Sequence, residues 1–211
     1  MLQPEIGSEL RPLSLEDEVE MAMEEERDVE NGHFYGEELP VAAGMCLEFS
    51  GCVFEHCQFR DSQAERLVFV DCIFDTCEMS GMHFPKATFQ RCAFRACRMT
   101  GVQMTNAVLM NVSFDNCLMD FANLSEIKAQ HVAFACCALK ESVFYMIKWQ
   151  DMMFRECALN RSEWSHTLMK GLDLRTCCID GIAVEIANLR GLRVTEAQAL
   201  VLAGLLGLKI D

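Results

Sequence analysis

The sequence has few residues that usually punctuate a fold and nothing resembling a membrane anchor. Among 211 residues there are 4 Pro, 2 Tyr and 5 His. So little proline excludes collagen-like and proline-rich disordered chains. Five scattered histidines, with no Cys-x-x-Cys, leave no zinc-type ligand spacing. No nucleophile–base pairing and no phosphate-binding glycine loop is present, so neither an enzyme nor a bound cofactor or metal is expected. The longest apolar stretch, around Ala197–Leu208, is shorter than the ~20 residues that span a bilayer. The start, Met-Leu-Gln-Pro-Glu-Ile, lacks a basic segment followed by an apolar run. A soluble cytoplasmic protein is the expectation. Basic charge is also scarce: 18 Lys and Arg stand against 32 Asp and Glu, a net charge of −14. That balance argues against direct contact with nucleic acid, whose phosphates would be repelled.

The acidity is concentrated. Residues 1–40 hold 13 acidic and 2 basic side chains, whereas residues 41–211 hold 19 and 16. The acidic tract reads as a solvated face. Thirteen cysteines are present. An odd number, in a chain of this size without an export signal, points to reduced thiols in a reducing compartment.

What the chain does have is a period of five. From Phe49, every fifth residue to Leu189 is large and apolar in 27 of 29 cases, the others being Ala64 and Ala129. Both Trp and 13 of the 14 Phe fall in this phase once Phe34 is included; Phe121 does not. Neither a two-residue nor a 3.6-residue period describes such a pattern. The position two before each centre is Cys at 52, 57, 72, 77, 92, 97, 117, 137, 157 and 177, and otherwise small or medium in size. Two inward residues in five, one small and one large, describe one side of a coil. The sequence is therefore an all-β solenoid, a right-handed quadrilateral parallel β-helix in which four pentapeptides complete one coil.

A longer period supports four sides. Phe recurs at 54, 74, 94, 114, 134 and 154, and Cys at 57, 77, 97, 117, 137, 157 and 177, both at steps of 20. Like side chains then stack on like, forming a Phe ladder and a Cys ladder in the core. The cysteines read as core fillers. Rungs about 4.8 Å apart also lie within disulfide reach, so an oxidised ladder stays open. Cys136 and Cys178 face outward in this register and Cys46 falls outside the ladder, which makes Cys136 and Cys178 the more reactive thiols.

Both ends need caps, because an open coil exposes core and unpaired backbone. The phase continues weakly through Gly44, Leu39 and Phe34, placing the first coil near Gly32. Ser14 is a plausible N-cap for a short acidic helix over 15–30, with Asn31-Gly32 as its stop; a mobile acidic tail is the alternative. Thr195 precedes a C-terminal helix with Gly207 near its end. Ala197, Val201, Leu205 and Leu208 form one apolar stripe on it, and Ala199, Leu202 and Leu206 another. A cap needs one apolar face, so a helix apolar nearly all round suits a two-fold dimer through Ala197, Val201, Leu202, Leu205, Leu206 and Leu208. A cap folded wholly onto the last coil is the alternative. The expected organisation is an acidic N-terminal segment over 1–33, a β-helix of about eight coils over 34–194, and a dimerisation helix and tail over 195–211.

Two segments carry a more specific resemblance: Ser-Glu-Trp-Ser-His-Thr-Leu-Met-Lys-Gly-Leu-Asp-Leu at 162–174 and Gly-Leu-Arg-Val-Thr-Glu-Ala-Gln-Ala-Leu-Val-Leu-Ala-Gly-Leu-Leu-Gly-Leu-Lys-Ile-Asp at 191–211. With the repeat, they make nearly the whole chain resemble the Qnr-type pentapeptide-repeat proteins, which protect DNA gyrase and topoisomerase IV from quinolones. Many of those carry two projecting loops. The five-residue step here is unbroken from 49 to 189, so the chain looks like the loopless, chromosomally encoded branch. The resemblance implies a tail-to-tail homodimer that mimics duplex DNA and occupies the enzyme's DNA-binding saddle.

Elementary dimensions agree. Positions 34–194 give about eight rungs, hence about 38 Å, or about 77 Å for a pair. Duplex DNA rises about 3.4 Å per base pair, so the pair matches twenty-odd base pairs. Charge agrees in part. Outward acids available to a partner are Glu55, Asp71, Asp75, Glu78, Asp115, Asp120 and Asp151, but Arg95, Arg155 and Arg175 share a column with Glu55, Asp75 and Asp115. The N-terminal acids would place negative potential at the distal tips. Val68, Val70, Val108 and Met110 form an outward apolar patch with Thr88 and Gln90 between them. Two other functions compete: a generic protein-interaction scaffold without a topoisomerase role, and self-immunity to a natural gyrase toxin.

Overall fold

The computed structural model describes residues 1–39, 46–59, 66–84 and 86–207. Gly44, Ala64 and Leu208 lie outside them. The rest is a parallel β-solenoid. Its first side stacks β4 (Cys46–Ser50) on β6 (Arg66–Val70), and its second stacks β5 (Val53–Glu55) on β7 (Ile73–Asp75). From the next coil the two sides run into one strand: β8 (Thr88–Arg95), β9 (Val108–Asp115), β10 (Lys128–Ala135) and β11 (Lys148–Arg155). Each pair is displaced by 20 residues, as in Phe69↔Phe89, Phe94↔Phe114 and Phe134↔Phe154. The third and fourth sides keep the same step through single bridges such as Arg98↔Leu118 and Gln103↔Asn123. A one-residue slip would turn inward side chains out, so the five-residue pattern locks the register.

The corners follow from the same period. Two residues after most centres the backbone turns left-handed, as at His56, Asp71, Asn111, Cys136 and His166. Such a conformation is unfavourable for a residue with a Cβ. The coil tolerates it because the corner N–H bonds the next rung, as from Asp71 N to Gln90 O (2.9 Å) and Cys136 N to Arg155 O (2.9 Å).

Inside, the described centres from Phe49 to Ile179 are buried, with Trp149 the exception. Phe74 and Phe94 stack at 4.5 Å, Phe94 and Phe114 at 4.8 Å, Phe114 and Phe134 at 4.8 Å, and Phe134 and Phe154 at 4.9 Å, all within 9° of parallel. Trp149, expected inward, sits half-out and donates its indole N–H to Leu168 O at 2.8 Å. Trp164, three sides further on, fills the core and stacks on Phe144 at 4.1 Å.

The buried cysteines do more than fill space. Cys57 Sγ donates to Phe34 O, Cys77 to Phe54 O, Cys97 to Phe74 O and Cys137 to Phe114 O, at 3.3–3.5 Å. Each thiol meets the carbonyl of a centre 23 residues earlier. Thr167 takes the same place in another column, donating to Phe144 O at 2.6 Å. Where this position carries Cys or Thr, its donor satisfies a buried carbonyl. All thirteen cysteines are free, and only Cys46, Cys136 and Cys178 are exposed. Burial pushes the Cys72 thiol up. Native protein is therefore expected to release three equivalents of thiolate colour from Ellman's reagent rapidly, and the other ten only on unfolding. Desolvation and the neighbouring Glu156 carboxylate raise the Cys136 thiol, so Cys136 is expected to react more slowly than it would unpaired. Thirteen fast thiols would mean an open core.

The N-terminal end departs from expectation. Helix α1 (Leu15–Glu25) begins at Ser14, whose side chain accepts from Asp17 N, but it ends with Glu26 in a left-handed turn rather than at Asn31-Gly32. Val29–Glu30 (β2) already pairs with Phe49–Ser50, and Arg11–Pro12 (β1) pairs with Gly32–His33 of β3 (Gly32–Tyr35). Leu15, Val19 and Ala22 pack α1 onto the core. The ladder therefore begins before Gly32, and α1 is an insertion between its first strands.

Candidate interaction surface

Among the described residues no group of His, Cys, Asp and Glu is arranged to hold a metal, and no helix is long and apolar enough to cross a membrane. What the fold offers is surface, arranged in columns.

The outward acids lie where the columns put them, but most are engaged. Glu55 is 3.1 Å from His33 Nε2, Glu78 is paired with Arg98 (3.1 Å), Asp151 lies 3.0 Å from His131 Nδ1, and Asp120 accepts from Lys140 N (2.8 Å). Asp75 accepts from Thr76 Oγ1 at 2.7 Å, and Asp115 is exposed. In the register Glu55, Asp75, Arg95 and Asp115 stand in one row, continued by Ala135 and Arg155. The result is alternating charge, not an acidic stripe.

Asp71 is not a partner-facing acid. It is 9 % exposed and takes Arg91 Nε at 2.7 Å. It also accepts Glu5 N at 2.9 Å, while Asn111 Oδ1 accepts Leu2 N at 2.8 Å. The segment before β1 therefore runs lengthwise over one corner of the solenoid. Three residues of extended chain, about 10 Å, match two rungs, about 9.6 Å. Glu5 consequently lies along the rod, not at its tip; the tip acids are those of α1, with Glu16, Asp17 and Glu20 exposed. Burial alone would raise the Asp71 carboxyl, but the hydrogen bonds from Arg91 and Glu5 N outweigh it and hold it below its usual value. A depressed carboxyl contributes stability above its unfolded pKa and loses it as pH falls through the folded one. Asp71→Ala and Asn111→Ala are each expected to speed cleavage after the exposed Glu9 by a glutamate-specific protease several-fold, and acidification through the depressed Asp71 carboxyl, below about pH 3.9, to free the arm in the wild type, read as faster amide exchange at Glu5. An unchanged cleavage rate in both variants would mean that these contacts do not hold it.

The apolar patch is present as spaced. Val68, Val70, Val108 and Met110 are half-buried on the first side, around Thr88 and Gln90. The next two rungs replace the apolar residues by Lys128 and Lys148, and Gln130 and Gln150.

At the far end α2 (Glu196–Ala203) starts from Thr195 with a reciprocal capping box to Gln198. Gln198 Nε2 also donates to Leu174 O and Cys177 O, both at 2.8 Å, which fastens the helix to the last coils. Leu202 is 9 % exposed and belongs to the core, so it is spent within its own chain rather than left for a partner. Ala197 is exposed, as are Leu200 (58 %), Val201 (39 %), Leu205 (38 %) and Leu206 (56 %).

No curated protein sequence matches the chain. Among solved structures it is similar to full-length QnrB1, a plasmid-mediated fluoroquinolone resistance protein, at 20 % identity over 86 % of this chain and 91 % of that one, with a TM-score of 0.42. A trypsin-treated point variant of QnrB1 gives 21 % identity over 88 % and 92 %, with a TM-score of 0.39. HetL, a pentapeptide repeat protein involved in heterocyst differentiation regulation from the cyanobacterium Nostoc sp. strain PCC 7120, gives 10 % identity over 79 % and 86 %, with a TM-score of 0.34. The model of the pentapeptide repeat region matches residues 45–119, 67–144 and 107–184, together most of the chain. With its 20-residue register and centred Phe and Cys ladders, the chain belongs to the pentapeptide-repeat family.

Proposed function

We propose that this protein is a DNA-mimicking, topoisomerase-binding homodimer that shields DNA gyrase or topoisomerase IV from quinolones or similar poisons. The observation that carries this reading is the C-terminal cap. Leu202 and Gln198 fasten α2 to the solenoid, yet Leu200, Val201, Leu205 and Leu206 stay exposed at its end. Apolar groups gathered at the end of a rod suit an isologous contact with a second copy. Two rods joined there would be about as long as twenty-odd base pairs of duplex DNA. The cap also lies within the sequence at 191–211 that resembles the Qnr-type proteins. Because the rows of Glu55, Asp75 and Asp115 are interrupted by arginines, recognition rests on rod dimensions and separate acidic points more than on a continuous field. Titration of the protein into a gyrase assay containing ciprofloxacin, reading supercoiling and DNA cleavage together, tests the proposal.

One observation favours a second reading, a scaffold for another protein. Val68, Val70, Val108 and Met110 make an apolar field on a flat sheet. That reading expects no effect on either topoisomerase.

A further inference from the structure

The solenoid is open along one seam. On its first two sides, neighbouring rungs are joined backbone to backbone: Asp71 N to Gln90 O (2.9 Å), Ala93 N to Cys72 O (3.0 Å) and Cys136 N to Arg155 O (2.9 Å). The equivalent bonds between β11 and the coil after it would be Asp151 N to Lys170 O, Asp173 N to Met152 O and Glu156 N to Arg175 O. Among the described residues none of the three is formed, and β11 pairs with β10 alone. Threonine hydroxyls take over at the two ends of the gap. Thr167 Oγ1 accepts Ile147 N at 3.0 Å and Thr176 Oγ1 accepts Glu156 N at 3.1 Å.

The other two sides stay closed, through Cys178 N to Cys157 O (3.0 Å) and Ala183 N to Ser162 O (2.9 Å). Beyond the gap, residues 168–175 remain tied to the final coil by Gly171 N to Gly191 O (3.1 Å) and Leu174 N to Arg193 O (3.0 Å). The last coils therefore stand away from β11 on one flank only. An open notch of about 910 Å³ lies there, bordered by Ala133, Met153, Arg155, Asp173 and Arg175. Met153 is 60 % exposed beside it.

An unpaired strand edge is a template for another strand. Its charge is selective. Asp151 faces His131, and Asp173 is held by Arg175 (2.7 Å) and Arg193 (3.4 Å). Arg155 and Lys170 have no ion-pair partner among the described residues. We propose that the seam between β11 and residues 168–175 is a docking slot for an extended segment of a protein partner, added as a strand against β11 with an acidic side chain over Arg155. Backbone pairing supplies the affinity, and Arg155 supplies the preference for an acid. The slot is independent of the topoisomerase reading.

The probe is a capped seven-residue peptide alternating valine and threonine, with one central glutamate. Amide exchange comes first. In free protein the Asp151 N–H is expected to exchange at least ten-fold faster than the Asp71 N–H. The peptide should then bind saturably, slow the exchange at Asp151, and shift the Asp151 and Asp173 amide resonances. Methylating the peptide's backbone nitrogens, or substituting Arg155→Glu, should each weaken binding at least ten-fold. The urea midpoint of the Arg155→Glu protein controls for folding, since Arg155 is exposed. Slow exchange at Asp151 in free protein, no saturable binding, or equal binding of the methylated peptide would each overturn the proposal. If a lysine-for-glutamate peptide binds equally well, the acidic preference is wrong.

Discussion

Phe94→Ala is expected to destabilise the protein by about 3–5 kcal/mol, because it removes a fully buried ring from the middle of a stack and leaves a cavity. Phe94 lies 4.5 Å from Phe74 and 4.8 Å from Phe114, nearly parallel to both, and meets Phe89 edge-on at 5.5 Å. A solenoid cannot close around such a hole by moving one loop, since the rungs on both sides are held in register by β7, β8 and β9. Each coil is stabilised mainly by its neighbours, so a weakened rung also uncouples the coils on either side. Unfolding in urea, followed by circular dichroism, should show a lower midpoint for Phe94→Ala and a broader or two-step transition. Phe121 provides the internal control. It is the one phenylalanine out of phase, at a left-handed corner, and is 55 % exposed. Phe121→Ala should change stability by no more than about 0.5 kcal/mol. Equal losses at the two positions would refute the stacked-core account.

The contrast between Phe94 and Phe121 explains why so much of this fold could be read from sequence. Each inward position belongs to a five-residue period and to a 20-residue column, so an error at one residue is corrected by its neighbours in both directions. Phe54, Phe74, Phe94, Phe114, Phe134 and Phe154 carry that redundancy, and the structure stacks them. Where redundancy ended, so did legibility. The stop of α1 at Glu26 depends on how the chain re-enters the ladder at Val29, which pairs with a residue 20 positions away. Trp149 had the right phase but packs against the core only partly buried, because the period reports size and polarity and not how deeply a side chain is covered. Asp71 was outward by count, yet its corner brings it under the N-terminal arm and beside Arg91, contacts that no local pattern encodes. The cysteines read correctly as buried. Their bonds to carbonyls 23 residues away had one available clue, the hydroxyl of Thr167 at an equivalent place.

The functional proposal makes the largest biochemical prediction. Wild-type protein is expected to restore gyrase supercoiling in the presence of ciprofloxacin and to lower the amount of drug-stabilised cleaved DNA. The variant Leu205→Asp/Leu206→Asp should need at least about ten-fold more protein for the same effect, because it halves the rod and removes the advantage of two linked binding halves. Both leucines are exposed on the single chain, so two carboxylates there cost the isolated chain little. In a dimer contact the same carboxylates would be buried without partners, which is costly enough to separate the subunits. Sedimentation should therefore find a dimer for the wild type and a monomer for the variant, with the same far-ultraviolet spectrum and the same urea midpoint at matched low concentration. Changing the helix's inward residue, Leu202→Asp, should instead destabilise the fold, since that side chain lies in the core. The three readouts separate the possible failures. A monomeric wild type would remove the dimer while leaving the solenoid intact. A dimer that changes neither supercoiling nor cleavage, with gyrase or with topoisomerase IV, would remove the DNA-mimic reading and favour the scaffold built around Val68, Val70, Val108 and Met110. A variant that is monomeric yet fully protective would show that one rod is sufficient, and the length argument for a pair would fall.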